Sequence, residues 1–166
     1  MTTRTAPNSP AAPPGLDSDG ALVITRVFDA PREAVFEAWT RAEHFARWFG
    51  PHGTTLPVCE VDARPGGALR FLHRHANGED VWVRGVYREV VAPERLVIAT
   101  AFTDPDGNDA ERPGFGRESR ITVTFAEEAG GGTRLTMRQT GLVADQGEGE
   151  GWMETMDRLA ELLAGD

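Results

Sequence analysis

Val27-Phe28-Asp29-Ala30-Pro31-Arg32-Glu33-Ala34-Val35-Phe36-Glu37-Ala38-Trp39 joins a strand to a helix, and Arg47-Trp48-Phe49-Gly50-Pro51 follows closely. Pro31 fits the first helical position, where its missing N–H is not needed and its fixed φ is already helical. Glu33 then places a negative charge in the first turn. Thr40 followed by Glu43 has the spacing of a capping box, so a second helix is expected at once, with Phe45, Trp48 and Phe49 as its apolar positions. Gly50-Pro51 ends it, and the helical pair spans about 31–49.

Working outward, residues 21–28 read as the first strand. Short β-rich runs follow at 57–62, 67–75, 81–91, 95–102, 117–125 and 133–140, separated by Gly, Pro, Asn and Asp. An acidic, Gly- and Pro-rich insertion at 104–116 suits a lid or a dimer contact. Trp152, Met153, Met156, Leu159, Leu162 and Leu163 recur at helical spacing and make one apolar face on a terminal helix. Gly147, Gly149 and Gly151 each cost about 1 kcal/mol relative to alanine in a helix, so its start is expected to fray or kink. The expected fold is α+β: a curved antiparallel sheet of about seven strands around a long C-terminal helix, with two short helices after strand 1.

One register can be derived. A two-residue turn at Asn77-Gly78 would set Phe71 opposite Arg84, mixing a core and a solvent residue on one face. A three-residue loop, Ala76-Asn77-Gly78, with Gly78 left-handed, instead pairs Phe71 with Val83 and Leu69 with Gly85. Leu69, Phe71 and His73 then share the concave face with Val83, Gly85 and Tyr87, and Arg70, Arg74, Arg84 and Arg88 point outward.

This strand, helical pair and Trp-x-Gly-Pro ending resemble the START-like (SRPBCC) superfamily, in the AHSA1 branch named after the C-terminal domain of the Hsp90 ATPase activator. The resemblance continues through Gly66-Gly67-Ala68-Leu69-Arg70-Phe71, Gly85-Val86-Tyr87-Arg88-Glu89-Val90, Pro93-Glu94-Arg95-Leu96-Val97, Gly132-Thr133-Arg134-Leu135 and Gly151-Trp152. It covers roughly 21–163 and implies the helix-grip (Bet v 1-like) fold with an interior apolar cavity. Function does not follow from it, since the fold hosts carriers, cyclases and co-chaperone modules.

The 166 residues support one domain over 20–166, preceded by a tail at 1–19 expected to be disordered. The single cysteine, Cys59, excludes an internal disulfide and suits the cytoplasm, and no apolar run resembles a signal peptide or a membrane span. A net charge of −9 disfavours nucleic acid and anionic membrane surfaces and makes a neutral or cationic ligand the easier one. All 17 basic residues are arginine, scattered along the chain and best read as codon bias. A homodimer is compatible with the sequence, and no cofactor is called for.

Catalytic signatures are sparse. Ser9, Ser18 and Ser119 are the only serines and none lies in a Gly-x-Ser-x-Gly turn, while the glycine clusters lack a phosphate-binding context. His73 and His75 share a strand face and could chelate a metal with Glu60 or Glu89, but no clear further ligand exists, so no metal is expected. Strand alternation also turns Glu89 inward beside Tyr87. There the two could act as an acid–base couple with His73, although a carboxylate bonded to Arg95 or backbone is the structural reading. From the sheet, Leu69, Phe71, His73, Tyr87, Ile98 and Met137 are the candidate ligand-binding residues. Trp48, Trp152 and Met156 join them from the helices. Binding of a small apolar molecule is the leading expectation. A cyclase- or hydratase-like enzyme using the same cavity comes second. An Hsp90-type co-chaperone comes last, because the resemblance covers only one domain of that activator.

Overall fold

A computed structural model describes residues 15–16, 20–112, 115–142 and 148–165. Its elements are β1 (Gly15–Leu16), β2 (Leu22–Phe28), α1 (Arg32–Thr40), α2 (Ala42–Trp48), β3 (Thr55–Val61) and β4 (Ala68–Arg74), then β5 (Asp80–Val91), β6 (Arg95–Thr103), β7 (Phe115–Glu127), β8 (Thr133–Leu142) and α3 (Glu148–Gly165). The strands make one antiparallel sheet in the order β1-β2-β8-β7-β6-β5-β4-β3. This is the helix-grip arrangement, with seven longer strands plus β1. That two-residue strand pairs Leu16 with Leu22 inside the segment expected to be disordered, and the remainder of that segment lies outside the described residues.

The β4–β5 hairpin takes the three-residue loop. Gly78 has φ of 90°, the His75 N–H donates to Glu79 O, and the register pairs Phe71 with Val83 and Leu69 with Gly85. A period of two then buries Leu69, Phe71, Val83 and Tyr87 and exposes Arg74, Arg84 and Arg88.

The helix entries differ from expectation by small shifts with physical causes. Pro31 is the N-cap of α1 and not its first residue, with φ −69° and ψ 155°, and its carbonyl accepts from Ala34 and Val35 N–H. The Thr40–Glu43 capping box does not form. Thr40 is still helical, so its hydroxyl turns back to the Phe36 carbonyl at 2.9 Å, and extended Arg41 separates the two helices. Trp48 Nε1–H donates to Ala38 O at 2.9 Å and locks α2 on α1.

Along α3, Trp152, Met156 and Leu159 are buried, and Met153, Leu162 and Leu163 lie at the margin of the same face. The helix begins at Glu148 and runs through Gly149 and Gly151. Two arginines tie it down. Buried Arg26 on β2 donates to Asp157 at 2.8 Å. Arg158 reaches the α2–β3 loop, where its guanidinium donates to the carbonyls of Arg47, Gly50 and Pro51 at 2.9, 3.0 and 3.2 Å and to Thr54 Oγ1 at 3.2 Å. Only a planar fork of several donors serves so many acceptors at once. Arg158→Met should therefore lower the unfolding free energy by about 1–3 kcal/mol, with partial recovery in Arg158→Lys, as read from denaturant unfolding. Wild-type stability in both variants would contradict the clamp.

Candidate functional site

The inward side chains of the curved sheet and the face of α3 do not fill the space between them, and a cavity of about 310 Å³ remains. Its floor is apolar: Leu69 and Phe71 from β4, Val81 and Val83 from β5, Ile98 from β6 and Ile121 from β7. Its roof is aromatic. Trp39 stacks on Trp152 with centroids 6.2 Å apart, and Phe49 meets both Phe71 and Trp152 edge-on at 5.3 and 5.6 Å. Gly50 and Pro51 complete the roof. Gly50 has φ of 98°, and a Cβ there would collide with Thr54 Oγ1 and His73 Nε2, so glycine is required twice over.

Polar groups enter the wall in two places. On one side Trp152 Nε1–H donates to Gln139 Oε1 at 2.9 Å, Gln139 Nε2–H to Ser119 Oγ at 2.9 Å, and Ser119 Oγ–H to the Thr140 carbonyl at 2.8 Å. This buried chain fixes the indole of Trp152 and leaves its members bonded. At the end where the β4–β5 hairpin turns, His73 and His75 stack at 4.3 Å and Arg112 joins them. Burial, then the charges of His75, Arg112 and Arg158, hold His73 down to about 4, and burial followed by Arg112 lowers His75. Arg112 is delivered by the 104–112 segment, which folds back through Asp104 accepting from the N–H groups of Asp106 and Asn108.

Of the residues expected to bind ligand, Leu69, Phe71, His73, Ile98 and Trp152 lie in this wall. Trp48, Tyr87, Met137 and Met156 do not. All four are fully buried behind it, in the core layer. Among the described residues the buried Tyr87 hydroxyl has no hydrogen-bond partner, and burial pushes its pKa up. Glu89 is a correction. The β5–β6 register shifts between Tyr87 and Glu89, a bulge that resets the alternation, so Glu89 is exposed and accepts from Arg95 Nε at 3.0 Å. The expected acid–base group of Tyr87, Glu89 and His73 is therefore not assembled.

Gln139, Ser119, Thr155 and Arg112 are wall residues that sequence reasoning missed. For Gln139 a signal existed, since it continues the inward alternation of Leu135 and Met137 on β8. Among the described residues, no three His, Cys, Asp or Glu side chains converge to hold a metal ion, and no helix is long and apolar enough to cross a membrane. Cys59 is half-buried, its thiol pushed up to about 11 by burial, which leaves little reactive thiolate.

The family profile described as Activator of Hsp90 ATPase homolog 1-like protein matches residues 29–164. Protein CV1439 from Chromobacterium violaceum is 28% identical, with a TM-score of 0.76 over 88% of this chain and 98% of that one. Protein Ms6760 from Mycobacterium smegmatis is 26% identical, with a TM-score of 0.81 over 93% and 97%. The AHSA1 protein from Silicibacter pomeroyi, 24% identical with a TM-score of 0.72 over 87% and 97%, shares the fold. No functionally curated protein matches the chain. With most of its length covered by the profile and its helix-grip architecture shared by these structures, the chain belongs to the Activator of Hsp90 ATPase homolog 1-like (AHSA1) family.

Proposed function

We propose that this protein binds a small, largely apolar molecule in the cavity between the sheet and α3. The observation that carries this reading is a space of about 310 Å³ walled by aromatic and aliphatic side chains from both helical pair and sheet, with few polar groups in it. Ligand pockets occupy roughly 300–1,000 Å³, are mostly apolar, and use a small number of placed polar groups to orient the guest. The cyclase or hydratase alternative is disfavoured by the placement of its candidate residues: Glu89 is on the outer surface, Tyr87 lies behind the wall, and His73 alone lines the cavity. A cytoplasmic setting suits the lone free cysteine.

Core and wall should respond differently to substitution. Met156→Ala removes a fully buried side chain outside the wall, so a loss of about 2–5 kcal/mol is expected with probe binding retained. Val83→Phe projects extra volume into the cavity and should abolish binding of 1-octanol while the protein stays folded. In wild type, 1-octanol at about one hundred times its Kd should stabilise the native state by about 2.7 kcal/mol, raising the thermal midpoint by several degrees. No rise with 1-octanol or any member of an apolar panel would contradict the reading.

The depressed His73 gives a pH signature. Its folded value of about 4 lies below the ordinary 6.5, so the unfolded chain binds more protons in that interval. The stability tied to neutral His73 is complete above pH 6.5 and is lost as pH falls toward 4. Thermal midpoints measured across this window should decline less steeply in His73→Gln than in wild type, since the carboxylates are common to both. Parallel curves would show that His73 is not held neutral.

A further inference from the structure

We infer that the molecule bound in this cavity carries a carboxylate, seated against Arg112 beside the stacked rings of His73 and His75, with its apolar body extending toward Ile98 and Trp152. This rests on the ligand-binding reading above and names the chemical class of its ligand.

The charge of the wall runs against that of the chain. Asp and Glu outnumber Lys and Arg by 26 to 17, yet among the described residues the wall contains no Asp or Glu and carries the positive charge of Arg112. That charge is set beside the rings of His73 and His75, which burial and Arg112 shift toward the neutral, hydrogen-bonding form. The three gather at one end, His73 and His75 leading into the β4–β5 hairpin and Arg112 on the β6–β7 connection, while Leu69, Ile98 and Ile121 supply the apolar remainder. A cavity so divided matches an amphipathic anion. The overall −9 does not prevent this, because repulsion from distant surface charges is screened within about 8–10 Å at physiological salt, whereas Arg112 would act at contact.

Arg112 is also available. Among the described residues its guanidinium lies 5.7 Å from the centre of the Phe102 ring and makes a single 3.4 Å approach to Glu79 at the exposed rim, with 28% of its own side chain exposed. A long, solvent-exposed pair of this kind contributes little. A ligand carboxylate sheltered by the Phe102 and Val81 side chains could take up the guanidinium fork through two parallel hydrogen bonds in place of Glu79. Arg158 adds positive potential behind His73, its own hydrogen bonds going to loop carbonyls and the Thr54 hydroxyl. A cationic ligand would meet the like charge of Arg112, and the nearest carboxylate, Glu79, stands outside the wall at the exposed rim.

Octanoate and 1-octanol, of equal chain length, separate the head group from the body. Water solvates octanoate far better, so an apolar cavity without a charged partner selects the alcohol. By calorimetric titration at pH 7, octanoate is expected to bind wild type at least about tenfold tighter than 1-octanol. Arg112→Gln should erase that preference and Glu79→Gln, which frees the guanidinium, should enlarge it. Affinity for 1-octanol should be nearly unchanged in Glu79→Gln, whose substituted residue lies outside the wall, and should change far less than affinity for octanoate in Arg112→Gln. Equal or tighter binding of 1-octanol by wild type, or a carboxylate preference that survives Arg112→Gln, would overturn the head-group inference and leave the apolar-ligand reading standing. Failure of both probes to bind would overturn the two together.

Discussion

The clamp of Arg158 on the α2–β3 loop is the contact on which the cavity depends. Helix α3 supplies one wall, the sheet another, and the loop at Gly50-Pro51 the roof between them; the guanidinium fixes loop and helix to each other through backbone carbonyls. Because all but one of the acceptors are main-chain carbonyls, the Thr54 hydroxyl being the exception, the clamp holds a shape without committing side chains to fill the interior. The same loop sets Gly50 against His73 so closely that only glycine fits, which pins the roof to β4 as well. Cavity volume here follows from backbone held in place, not from missing residues.

Inside that frame the polar groups have distinct tasks. The chain from Trp152 through Gln139 and Ser119 to the Thr140 carbonyl spends its hydrogen bonds on the protein and so orients an aromatic wall. At the other end, among the described residues, Arg112 makes one weak surface pair, and the histidines stack on each other with the Nε2 of His73 buried and unpartnered. The first arrangement rigidifies and the second leaves interaction capacity. That contrast supports the proposed division into a positioning network and a recognition end, while the outward Glu89 and the core-buried Tyr87 leave the suspected acid–base group unassembled.

Periodicity and turn chemistry made much of this legible from residues alone. Gly78 and the alternation around it determined the β4–β5 register, and with it the inward placement of Leu69, Phe71 and His73. Glu89 was misplaced because the bulge after Tyr87 carries no glycine or proline to mark it. Trp48, Tyr87, Met137 and Met156 were rightly placed inside but at the wrong depth: alternation tells which face a residue occupies, while sheet curvature and the angle of α3 decide whether it meets core or void. Arg112 had no periodic context at all, since it reaches the cavity from a loop.

The four tryptophans allow the central claim to be tested by one measurement, the indole N–H resonances in a two-dimensional NMR titration with an apolar probe. Trp39 and Trp152 line the cavity, whereas Trp82 lies on the opposite face of β5 beneath Arg70, 4.2 Å from its guanidinium. Saturable movement of the Trp39 and Trp152 signals, with Trp82 unmoved, is the predicted result. Signals that all stay fixed, or a shift confined to Trp82, would contradict an interior binding site.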